Sequence, residues 1–295
     1  MNKENQIERP EYTAETEEQF IRQYDDSKFP KPSMTADINI FSVMAETKDN
    51  YRKLSEKKLM LLLVRRGTHP FKDCYALPGG FVKLGETIEE AARRELQEET
   101  GVACDFLKQI QTISTPGRDP RRWVITTSFL ALMNGENLRI QGGDDAASAE
   151  WFSVDLKVDS QNDTEIIWKL LLDNGTEELS AKIRQKKDPR FMDEFPELTL
   201  IENNSIAFDH AWIITHALLT LRRLVNSTNT NIVFELLPEE FTLSEIQQVT
   251  ETILDEKYPA PAFRRKISPL VEETDRYAEG AGHRPSKLFR RKTVQ

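Results

Sequence analysis

Residues 80–102 read GFVKLGETIEEAARRELQEETGV, and this stretch decides the fold of the first half of the chain. It predicts a helix over 87–100. Thr87 and Glu90 have the spacing of a capping box, in which each side chain accepts a hydrogen bond from the backbone N–H group of the other residue. Gly101 follows as a C-terminal stop, because glycine readily adopts the left-handed conformation that ends many helices. The helix is therefore expected to begin and end at defined residues.

Two sets of side chains share this predicted helix. An apolar strip that can pack against a sheet consists of Ile88, Ala92 and Leu96. Glu95, Glu98 and Glu99 gather on adjoining sides of one turn, because residues three and four apart are neighbours on a helix. Three like charges so close together are costly unless a cation neutralises them. Carboxylate oxygens suit Mg²⁺ or Mn²⁺, so the pattern predicts a divalent metal site beside the buried face.

The same stretch resembles the signature of the Nudix hydrolases, G-x5-E-x7-R-E-U-x-E-E-x-G-U, in which U is a bulky aliphatic residue. Every defined place is filled, by Gly80, Glu86, Arg94, Glu95, Leu96, Glu98, Glu99, Gly101 and Val102. From average composition, such a match arises by chance on the order of once in 10⁹ starting points. An acidic surface helix explains isolated glutamate pairs but not the complete set.

The resemblance implies both a reaction and the roles of individual residues. Nudix hydrolases cleave a diphosphate that joins a nucleoside to another group. By resemblance, the metal ligands are the carbonyl of Gly80 and the carboxylates of Glu95, Glu98 and Glu99. Arg94 orients these glutamates and forms the catalytic set together with Glu98 and Glu99.

The signature leaves open which residue takes the proton from the attacking water. In some relatives it is a glutamate of the signature, and in those that cleave ADP-ribose it is often a carboxylate on a later loop. The sequence QGGDDAASAEW at 141–151 offers Asp144, Asp145 and Glu150 for this role. A solvated acidic turn explains these residues equally well.

A second segment bears on the substrate. Arg118, Asp119, Pro120 and Arg121 precede Trp123 at the start of a predicted strand. Together with PSMTAD at 32–37 and LPGGFV at 77–82, this segment resembles the ADP-ribose-pyrophosphatase-like branch of the family. The resemblance implies that Arg118 or Arg121 binds phosphate or ribose and that Trp123 stacks on adenine. We group Glu86 of the signature with these substrate-binding residues. An ordinary surface loop is the alternative.

The order of predicted elements indicates the fold class. A short helix is expected over 16–26, and branched apolar residues predict strands at 33–46, 57–66, 74–82, 103–115, 122–133 and 149–154. Strands on both sides of one long helix, with mixed pairing, indicate an α/β sandwich and not a doubly wound sheet. We therefore expect an α/β fold with the Nudix α/β/α sandwich and a mixed sheet over residues 1–155.

The chain changes character after residue 155. Asn174-Gly175 lies between two apolar runs and is a strong signal for a β-hairpin. A helix is expected over 210–225, with Asp209 as its N-cap. The polar segment NSTNTN at 226–231 is the best candidate for a domain boundary. We therefore expect a connecting region over 156–230 and a C-terminal domain over 231–295.

The C-terminal end is basic although the whole chain has a net charge of −9. Residues 259–295 contain nine Lys and Arg against four Asp and Glu, so they carry +5 and the preceding residues carry −14. Such an asymmetry indicates a polyanion-binding end on an acidic protein. A helix over 243–256, a basic helix over 260–274 and a basic hairpin that ends in RPSKLFRRK predict a winged helix-turn-helix domain.

The order Nudix domain, helix and winged helix resembles the Nudix-related transcriptional regulators of NAD metabolism, the NrtR-like proteins, over roughly residues 16–293. The resemblance implies a homodimer that binds double-stranded DNA. The expected DNA contacts are Arg264, Arg265 and Lys266 on the recognition helix and Arg284, Ser286 and Lys287 on the wing. The wing departs from the pattern, because His283 separates Gly282 from Arg284. A small helical domain with a basic solvated face is the alternative.

Other features of the sequence exclude some classes of protein. No apolar run approaches the roughly 18 residues of a membrane span, and the N-terminus lacks the apolar core of a secretory signal. Cys74 and Cys104 have no metal-like spacing and are interpreted as reduced thiols. We therefore expect a cytoplasmic protein with no membrane partner.

Two functions from different classes fit these features. The first is a Mg²⁺-dependent pyrophosphohydrolase of a nucleotide sugar, with ADP-ribose cleaved to AMP and ribose 5-phosphate; another sugar nucleotide or a dinucleotide is the variant of this hypothesis. The alternative is a DNA-binding transcriptional regulator whose Nudix domain mainly binds the effector. The complete carboxylate set favours the enzyme, and the basic C-terminal end favours the regulator.

Overall fold

The computed structural model describes residues 14–45, 56–101, 104, 106–135, 148–187, 197–227, 232–278 and 285–292. The chain forms two compact units, which divide after Pro32. In the first unit, helix α1 spans Ala14–Gln23, and an ion pair joins Lys31 to Asp26. The helix expected over 16–26 is thus confirmed, with an earlier end. None of the described helices combines the length and the hydropathy that a membrane-spanning helix needs.

A single mixed sheet of ten strands forms the centre of the second unit. Its strands are β1 (Ser33–Ala45), β2 (Lys57–Arg65), β3 (Tyr75–Ala76), β4 (Gly79–Phe81), β5 (Phe106–Ile113), β6 (Val124–Asn134), β7 (Ser148–Gln161), β8 (Glu165–Asp173), β9 (Glu178–Lys186) and β10 (Glu197–Asn204). Eight strands follow the order β10-β9-β8-β7-β2-β1-β6-β5, while β3 pairs with β2 and β4 with β1. β1 and β6 are parallel, whereas the other neighbours are antiparallel. The mixed sheet was predicted correctly.

Helix α2 (Ile88–Thr100) covers one face of this sheet. Its buried Ala92 and Leu96 pack against alternate residues of β1, Ala36, Ile38 and Ile40. Ile88 packs at the margin of the same cluster, so the predicted apolar strip is confirmed. Successive strand residues point to opposite faces. The next residues of β1, Asp37, Asn39 and Phe41, therefore belong to the other face.

Helix α3 (His210–Asn226) packs against that opposite face and completes an α/β/α sandwich. The expected hairpin is present as β8 and β9, which turn at Asn174-Gly175. Two features differ from expectation. β7 continues to Gln161 instead of ending near 154, because it pairs with β8 along most of its length. β10 was not predicted, because only its pairing with β9 makes the polar segment ELTLIENN a strand.

The C-terminal part has the predicted winged-helix elements. A short 3-10 helix over Ile232–Leu236 precedes α4 (Leu243–Leu254) and α5 (Ala260–Ile267), and β11 (Val271–Tyr277) pairs with β12 (Lys287–Arg291). The expectation that α5 reaches residue 274 is wrong. The helix ends at Ile267 because Pro269 has no N–H group to continue the hydrogen-bond ladder. Residues from Val271 onward form the first strand of the wing.

One continuous hydrophobic cluster joins the sheet to the C-terminal part. It includes Leu61 and Phe152 of the sheet, Leu218 of α3, Ile246 of α4 and Phe263 of α5, each of them buried. α3 lies between the other two groups and packs against both. The winged helix is therefore held on the sheet by shared core residues.

Candidate functional site

Local sequence determines how α2 presents its carboxylates. The Thr87 side chain accepts from the Glu90 N–H group at 3.2 Å, and the Glu90 carboxylate accepts from the Thr87 N–H group at 2.7 Å. Gly101 ends the helix with a left-handed φ of 69°. The predicted capping box and C-terminal stop are both confirmed. They fix the rotational position of Glu95, Glu98 and Glu99 relative to the sheet.

Arg94 organises the exposed side of the signature. It donates to both carboxylate oxygens of Glu86 at 3.1 and 2.7 Å, and from Nη1 to Glu95 at 2.6 Å and Glu98 at 3.1 Å. It also donates from Nη2 to the carbonyl of Phe81 at 3.1 Å. These bonds lower the pKa of Glu86 to about 2, with the Arg94 hydrogen bond as the largest cause. Glu86 thus serves as an anchor for Arg94 in this arrangement.

The remaining carboxylate, Glu99, faces the loop before α2. It accepts a hydrogen bond from the Gly79 N–H group at 3.1 Å. Burial, followed by the nearby charge of Glu95, raises the pKa of Glu99 to about 8. The backbone of Gly80 lies directly on Glu95, and a Cβ atom at residue 80 would collide with that carboxylate. A side chain at residue 80 would displace the Glu95 carboxylate, so glycine keeps that carboxylate in place.

The donor set fits a hard divalent cation, although it is not grouped around one. Arg94 holds Glu95 and Glu98, and in the described ranges no three Asp, Glu, His or Cys side chains are grouped to hold a metal ion. Every available donor is nevertheless oxygen, and Glu98 is 54% exposed and able to rotate. Besides burial, the negative charges of Glu95, Asp37 and Glu98 raise the pKa of Glu99, so the carboxylates repel one another. A cation at the glutamates would relieve this repulsion.

A cleft of about 240 Å³ opens beside the signature. One end is formed by Glu99 and the backbone of Gly79 and Gly80. The rest of the wall contains four arginines and two phenylalanine rings: Arg65, Arg66, Arg118, Arg121, Phe81 and Phe208. The hydroxyl of Thr35 is buried at this cleft and has no hydrogen-bond partner among the described residues. The cleft therefore combines cations, flat apolar surface and an unsatisfied polar group next to the glutamates.

Arg118 lies at the base of the cleft and is paired with two carboxylates. It donates to Asp209 at 3.0 Å from Nε and 2.8 Å from Nη2, and to Asp37 at 3.2 Å. Its side chain is only 5% exposed. Arg118 is therefore in the cleft, as the sequence predicted for a ligand-binding residue, but here its hydrogen bonds go to protein carboxylates.

The predicted winged helix presents its basic residues in two different ways. On α5, Phe263 and Ile267 are buried while Arg264, Arg265 and Lys266 are exposed. In the described part of the chain, no carboxylate lies within ion-pair distance of Arg264 or Arg265. On the wing, Lys287 pairs with Glu273 at 2.5 Å and Arg290 with Glu272 at 2.5 Å. Arg264 and Arg265 on α5 therefore carry positive charge that no described carboxylate neutralises.

Comparison with known proteins agrees with this architecture. Residues 52–170 match the NUDIX domain, and residues 233–291 match the NrtR DNA-binding winged helix domain. Over 282 residues the chain is 31% identical to the ADPR responsive transcriptional repressor NtrR of Acinetobacter baylyi, a match that covers 93% of this chain and 88% of that protein. This chain belongs to the NrtR family.

Two further similarities concern the parts of this NrtR-family protein. Over 99 residues it is 46% identical to the ADP-ribose pyrophosphatase of Methanocaldococcus jannaschii, covering 34% of this chain and 57% of that protein. It is also similar to the crystal structure of Shewanella oneidensis NrtR complexed with a 27mer DNA, with a TM-score of 0.58 and 25% identity over 88% of this chain and 93% of that chain. The predicted Nudix fold with a C-terminal winged helix is thereby confirmed.

Several predicted site residues have other surroundings in this NrtR-family protein. Arg121 pairs with Asp119 at 2.7 Å and lines the cleft. Trp123 is 50% exposed at the start of β6 and is not among the lining residues. Glu150 belongs to β7, not to a loop, and accepts hydrogen bonds from Tyr75 and Asn174. Asp144, Asp145, Arg284 and Val102 lie outside the described residues. Ser286 is exposed immediately before β12.

Sequence analysis missed the residues that α3 and its approach bring to the cleft. Phe208 lies 4.9 Å from the guanidinium of Arg66, which itself donates to the carbonyl of Pro70 at 2.8 Å and has no ion pair among the described residues. His210 is buried next to Asp37. The one local signal was Arg66 itself, a cation at the end of an apolar strand. Phe208 and His210 gave none, since they lie more than 100 residues after the signature.

Proposed function

We propose that this NrtR-family protein is a DNA-binding transcriptional regulator whose Nudix cleft binds a nucleotide sugar of the ADP-ribose class. The observation that carries the DNA-binding part is the exposed pair Arg264 and Arg265 on α5, which has no carboxylate partner among the described residues. Unpaired arginines lose no internal ion pair when they bind phosphate or base edges. The similarity to NrtR of Shewanella oneidensis and to the Acinetobacter repressor supports this proposal.

The DNA-binding part is tested by fluorescence anisotropy with a labelled duplex from the protein's own upstream region, at several salt concentrations. Replacing Arg264 and Arg265 by Ala should weaken binding and make the slope of log K against log salt shallower by about 2, roughly one unit for each lost phosphate contact. Lys287→Ala is the matched control, because Glu273 already neutralises Lys287, and its effect should be smaller. If the double variant binds with the same slope of log K against log salt as wild type, α5 is not the recognition helix.

Ligand binding is proposed from the composition of the cleft. Arg66 and Arg121 are cations beside two aromatic rings, a combination that suits a diphosphate joined to a nucleoside. The buried hydroxyl of Thr35 can satisfy its hydrogen bond on a ligand. The names of the Acinetobacter and Methanocaldococcus relatives support ADP-ribose as the first ligand to test.

A second candidate function is hydrolysis of that ligand, and the complete signature favours it. Glu95, Glu98, Glu99 and the carbonyl of Gly80 would hold Mg²⁺ or Mn²⁺. When bound, such a cation neutralises diphosphate charge and lowers the pKa of a water nucleophile. Arg94 would keep the Glu95 and Glu98 carboxylates in position. The cleft arginines would bind the diphosphate next to them. The regulator and the hydrolase are compatible in one molecule.

Hydrolysis is tested by incubating the full-length protein with Mg²⁺ and ADP-ribose, NADH, diadenosine polyphosphates or dNTPs. Release of AMP and ribose 5-phosphate from ADP-ribose is the expected result, and it should be lost in Glu98→Gln. If wild type cleaves none of the panel, the hydrolase proposal is removed while the regulator proposal remains.

A further inference from the structure

The segment before α3 belongs to neither of the two matched domains, yet it forms part of the cleft. The first matched region ends at residue 170 and the second begins at residue 233, and this segment lies between them. The carbonyl of Ser205 accepts from the Tyr75 N–H group at 3.0 Å, and the Ala207 N–H group donates to the carbonyl of Tyr75 at 2.7 Å. Phe208 follows in a left-handed conformation with φ of 53° and lines the cleft. The segment is thus held against β3 at a fixed position.

Asp209 is the N-cap residue of α3, as predicted, but its side chain makes no capping hydrogen bond. Its two carboxylate oxygens instead accept from Arg118 at 2.8 and 3.0 Å. A bidentate pair of this kind fixes orientation as well as distance. The start of α3 is therefore attached to the arginine at the base of the cleft.

His210 forms a second connection, to the loop that carries the signature glycines. Its Nδ1 accepts a hydrogen bond from the Leu77 N–H group at 2.8 Å, which leaves the proton of the neutral ring on Nε2. Nε2 lies 3.8 Å from the carboxylate of Asp37, the other partner of Arg118. Leu77 is followed directly by Pro78, Gly79 and Gly80. Adjacent residues of α3 thus contact both the arginine and the glycine loop of the cleft.

The opposite end of α3 contacts the DNA-binding part. A helix of this length spans about 25 Å at 1.5 Å per residue. Near its end, Arg222 donates to the carbonyl of Ile253 in α4 at 3.0 Å and to the carbonyl of Leu156 in β7 at 3.1 Å. The buried face of α3 belongs to the same cluster as Phe263 and Ile267 of α5. Close-packed interiors transmit displacements instead of absorbing them.

α3 thus connects the cleft to the winged helix, alongside the direct contacts of α4 with β2. An anionic ligand in the cleft would compete with Asp209 for the guanidinium of Arg118, because both offer oxygens to the same donors. The start of α3 would then be held differently with and without ligand. Since α3 packs against α4, and α4 packs against α5, a shift of α3 would reach the recognition helix through α4. By linkage, DNA at α5 changes the affinity of the cleft for its ligand by the same factor.

We propose that Asp209 is a positioning residue whose ion pair with Arg118 couples occupancy of the nucleotide cleft to DNA affinity at α5. This inference rests on the proposed function, because it requires one protein to bind both a nucleotide sugar and DNA. A purely structural ion pair would stabilise the fold equally in the presence and absence of ligand. The two interpretations therefore differ in the coupling between sites and not in stability.

The experiment measures the dissociation constant for the labelled duplex with saturating ADP-ribose and without it, in EDTA so that divalent-dependent hydrolysis does not consume the probe. For wild type, the two constants should differ by about 5- to 150-fold. For Asp209→Asn, which keeps the size but not the charge, the difference should fall below about twofold. Glu165→Gln is the matched control: it removes a carboxylate paired with an arginine, Arg184, between β8 and β9 and outside the cleft lining, and its ratio should stay as in wild type. Asp209→Glu restores the charge and should recover part of the ratio.

The outcomes separate the two proposals. If the wild-type protein binds no duplex or no ADP-ribose, the proposed function is overturned and this inference with it, whereas a wild-type ratio of one with both bound overturns the inference alone. A wild-type ratio well above one that persists in Asp209→Asn overturns only the inference. If Asp209→Asn fails to fold, amide hydrogen exchange on the wild-type protein decides: ADP-ribose should change the protection of the Trp212 and Ile213 N–H groups, which donate to the carbonyl of Asp209. Unchanged protection at saturating ADP-ribose would contradict the coupling.

Discussion

Two arginines, Arg94 among the signature glutamates and Arg118 in the cleft, each bind several carboxylates, but they do so in different ways. Arg94 binds Glu86, Glu95 and Glu98, all within eight residues of it in the chain, and Glu98 is more than half exposed. Arg118 binds Asp37 and Asp209, which are 81 and 91 residues away, and its side chain is almost completely buried.

The two arginine clusters are therefore expected to have different roles. The Arg94 cluster is local and partly solvated, so its glutamates can rearrange around a cation at little cost. The Arg118 cluster joins β1, the segment before β6 and the start of α3, and among the described residues Arg118 pairs with Asp37 and Asp209. Changing Arg94 or its partners should therefore affect chemistry, whereas changing Arg118 or its partners should affect stability and communication between the cleft and the winged helix.

The largest expected effect is on hydrolysis, through the Arg94 cluster. Glu98→Gln removes one proposed metal ligand and should lower the rate of ADP-ribose cleavage by about 10²- to 10⁴-fold, in the range of a lost acid–base or electrostatic group. Unfolding should change little, because the Glu98 side chain is 54% exposed. The measurement is AMP release under saturating Mg²⁺.

Glu89→Gln is the matched control for this substitution. Glu89 is an exposed residue of the same helix, so the charge change is identical, but it lies outside the signature glutamates. It should cleave at the wild-type rate. A Glu98→Gln enzyme as active as the Glu89→Gln enzyme would show that the signature is not the hydrolytic site.

The next effect is on stability, and it contrasts the two arginines directly. Arg118→Gln leaves Asp37, 10% exposed, and Asp209, 22% exposed, without their counter-charge and should lower the free energy of unfolding by about 3 kcal/mol. Arg94→Gln should cost less, about 1 kcal/mol, because the Arg94 side chain is 19% exposed against 5% for Arg118 and its partner Glu98 is 54% exposed. Urea denaturation followed by circular dichroism measures both. Equal losses in the two variants would erase the distinction between the clusters.

A third effect concerns α3 at a residue that touches neither cluster. Burial, followed by the charge of Arg223, lowers the pKa of His216 from 6.5 to about 4. Between these values the unfolded chain binds a proton that the folded chain does not, so stability should fall as the pH falls from 6.5 to 4. The slope is about 1.4 kcal/mol per pH unit for a full difference of one proton.

His216→Gln should remove this part of the acid sensitivity while leaving stability above pH 7 within about 1 kcal/mol. Unfolding free energies at pH 4.5, 5.5 and 7.5 for both proteins give the comparison. If the acid slope of His216→Gln equals that of wild type, the sensitivity of the fold to acid must come from other groups.

The smallest effects test whether the two halves unfold together. Thr87 caps α2 and Thr242 caps α4, both through complete capping boxes. Replacing either threonine by Ala should cost about 1 kcal/mol. Because α3 and the shared core connect the halves, each change should shift the same single unfolding transition in calorimetry. Two transitions that respond separately to the two variants would show that the winged helix is an independent unit.

Local chemistry explains which parts of the fold and site were predictable. The capping box, the glycine stop and the glutamates of the signature lie within one 23-residue stretch, and the predicted helix with its capping box and stop is confirmed. The Asn174-Gly175 turn was predictable for the same reason. Strand β10 was not, because nothing in its own polar sequence indicates a strand until β9 supplies the hydrogen bonds.

Long-range pairing explains what the sequence could not show. Asp209 looked like a helix cap because aspartate usually caps when it precedes a helix. Its actual partner, Arg118, is 91 residues earlier in the chain, and no spacing rule links the two. Phe208 and His210 are likewise brought to the cleft from a distant part of the sequence, at the start of α3. The extent of α5 differs from the prediction for a local reason, since Pro269 ends the helix that the preceding sequence favours.

The central claim is that the Arg118–Asp209 pair ties the cleft to α3, and a double-mutant cycle on unfolding free energy tests it most directly. The proteins are wild type, Arg118→Gln, Asp209→Asn and the double variant. The two residues should show an interaction energy of about 1.5–3 kcal/mol, as expected for a buried and bidentate pair. Additive effects, with an interaction energy below about 0.5 kcal/mol, would contradict the claim.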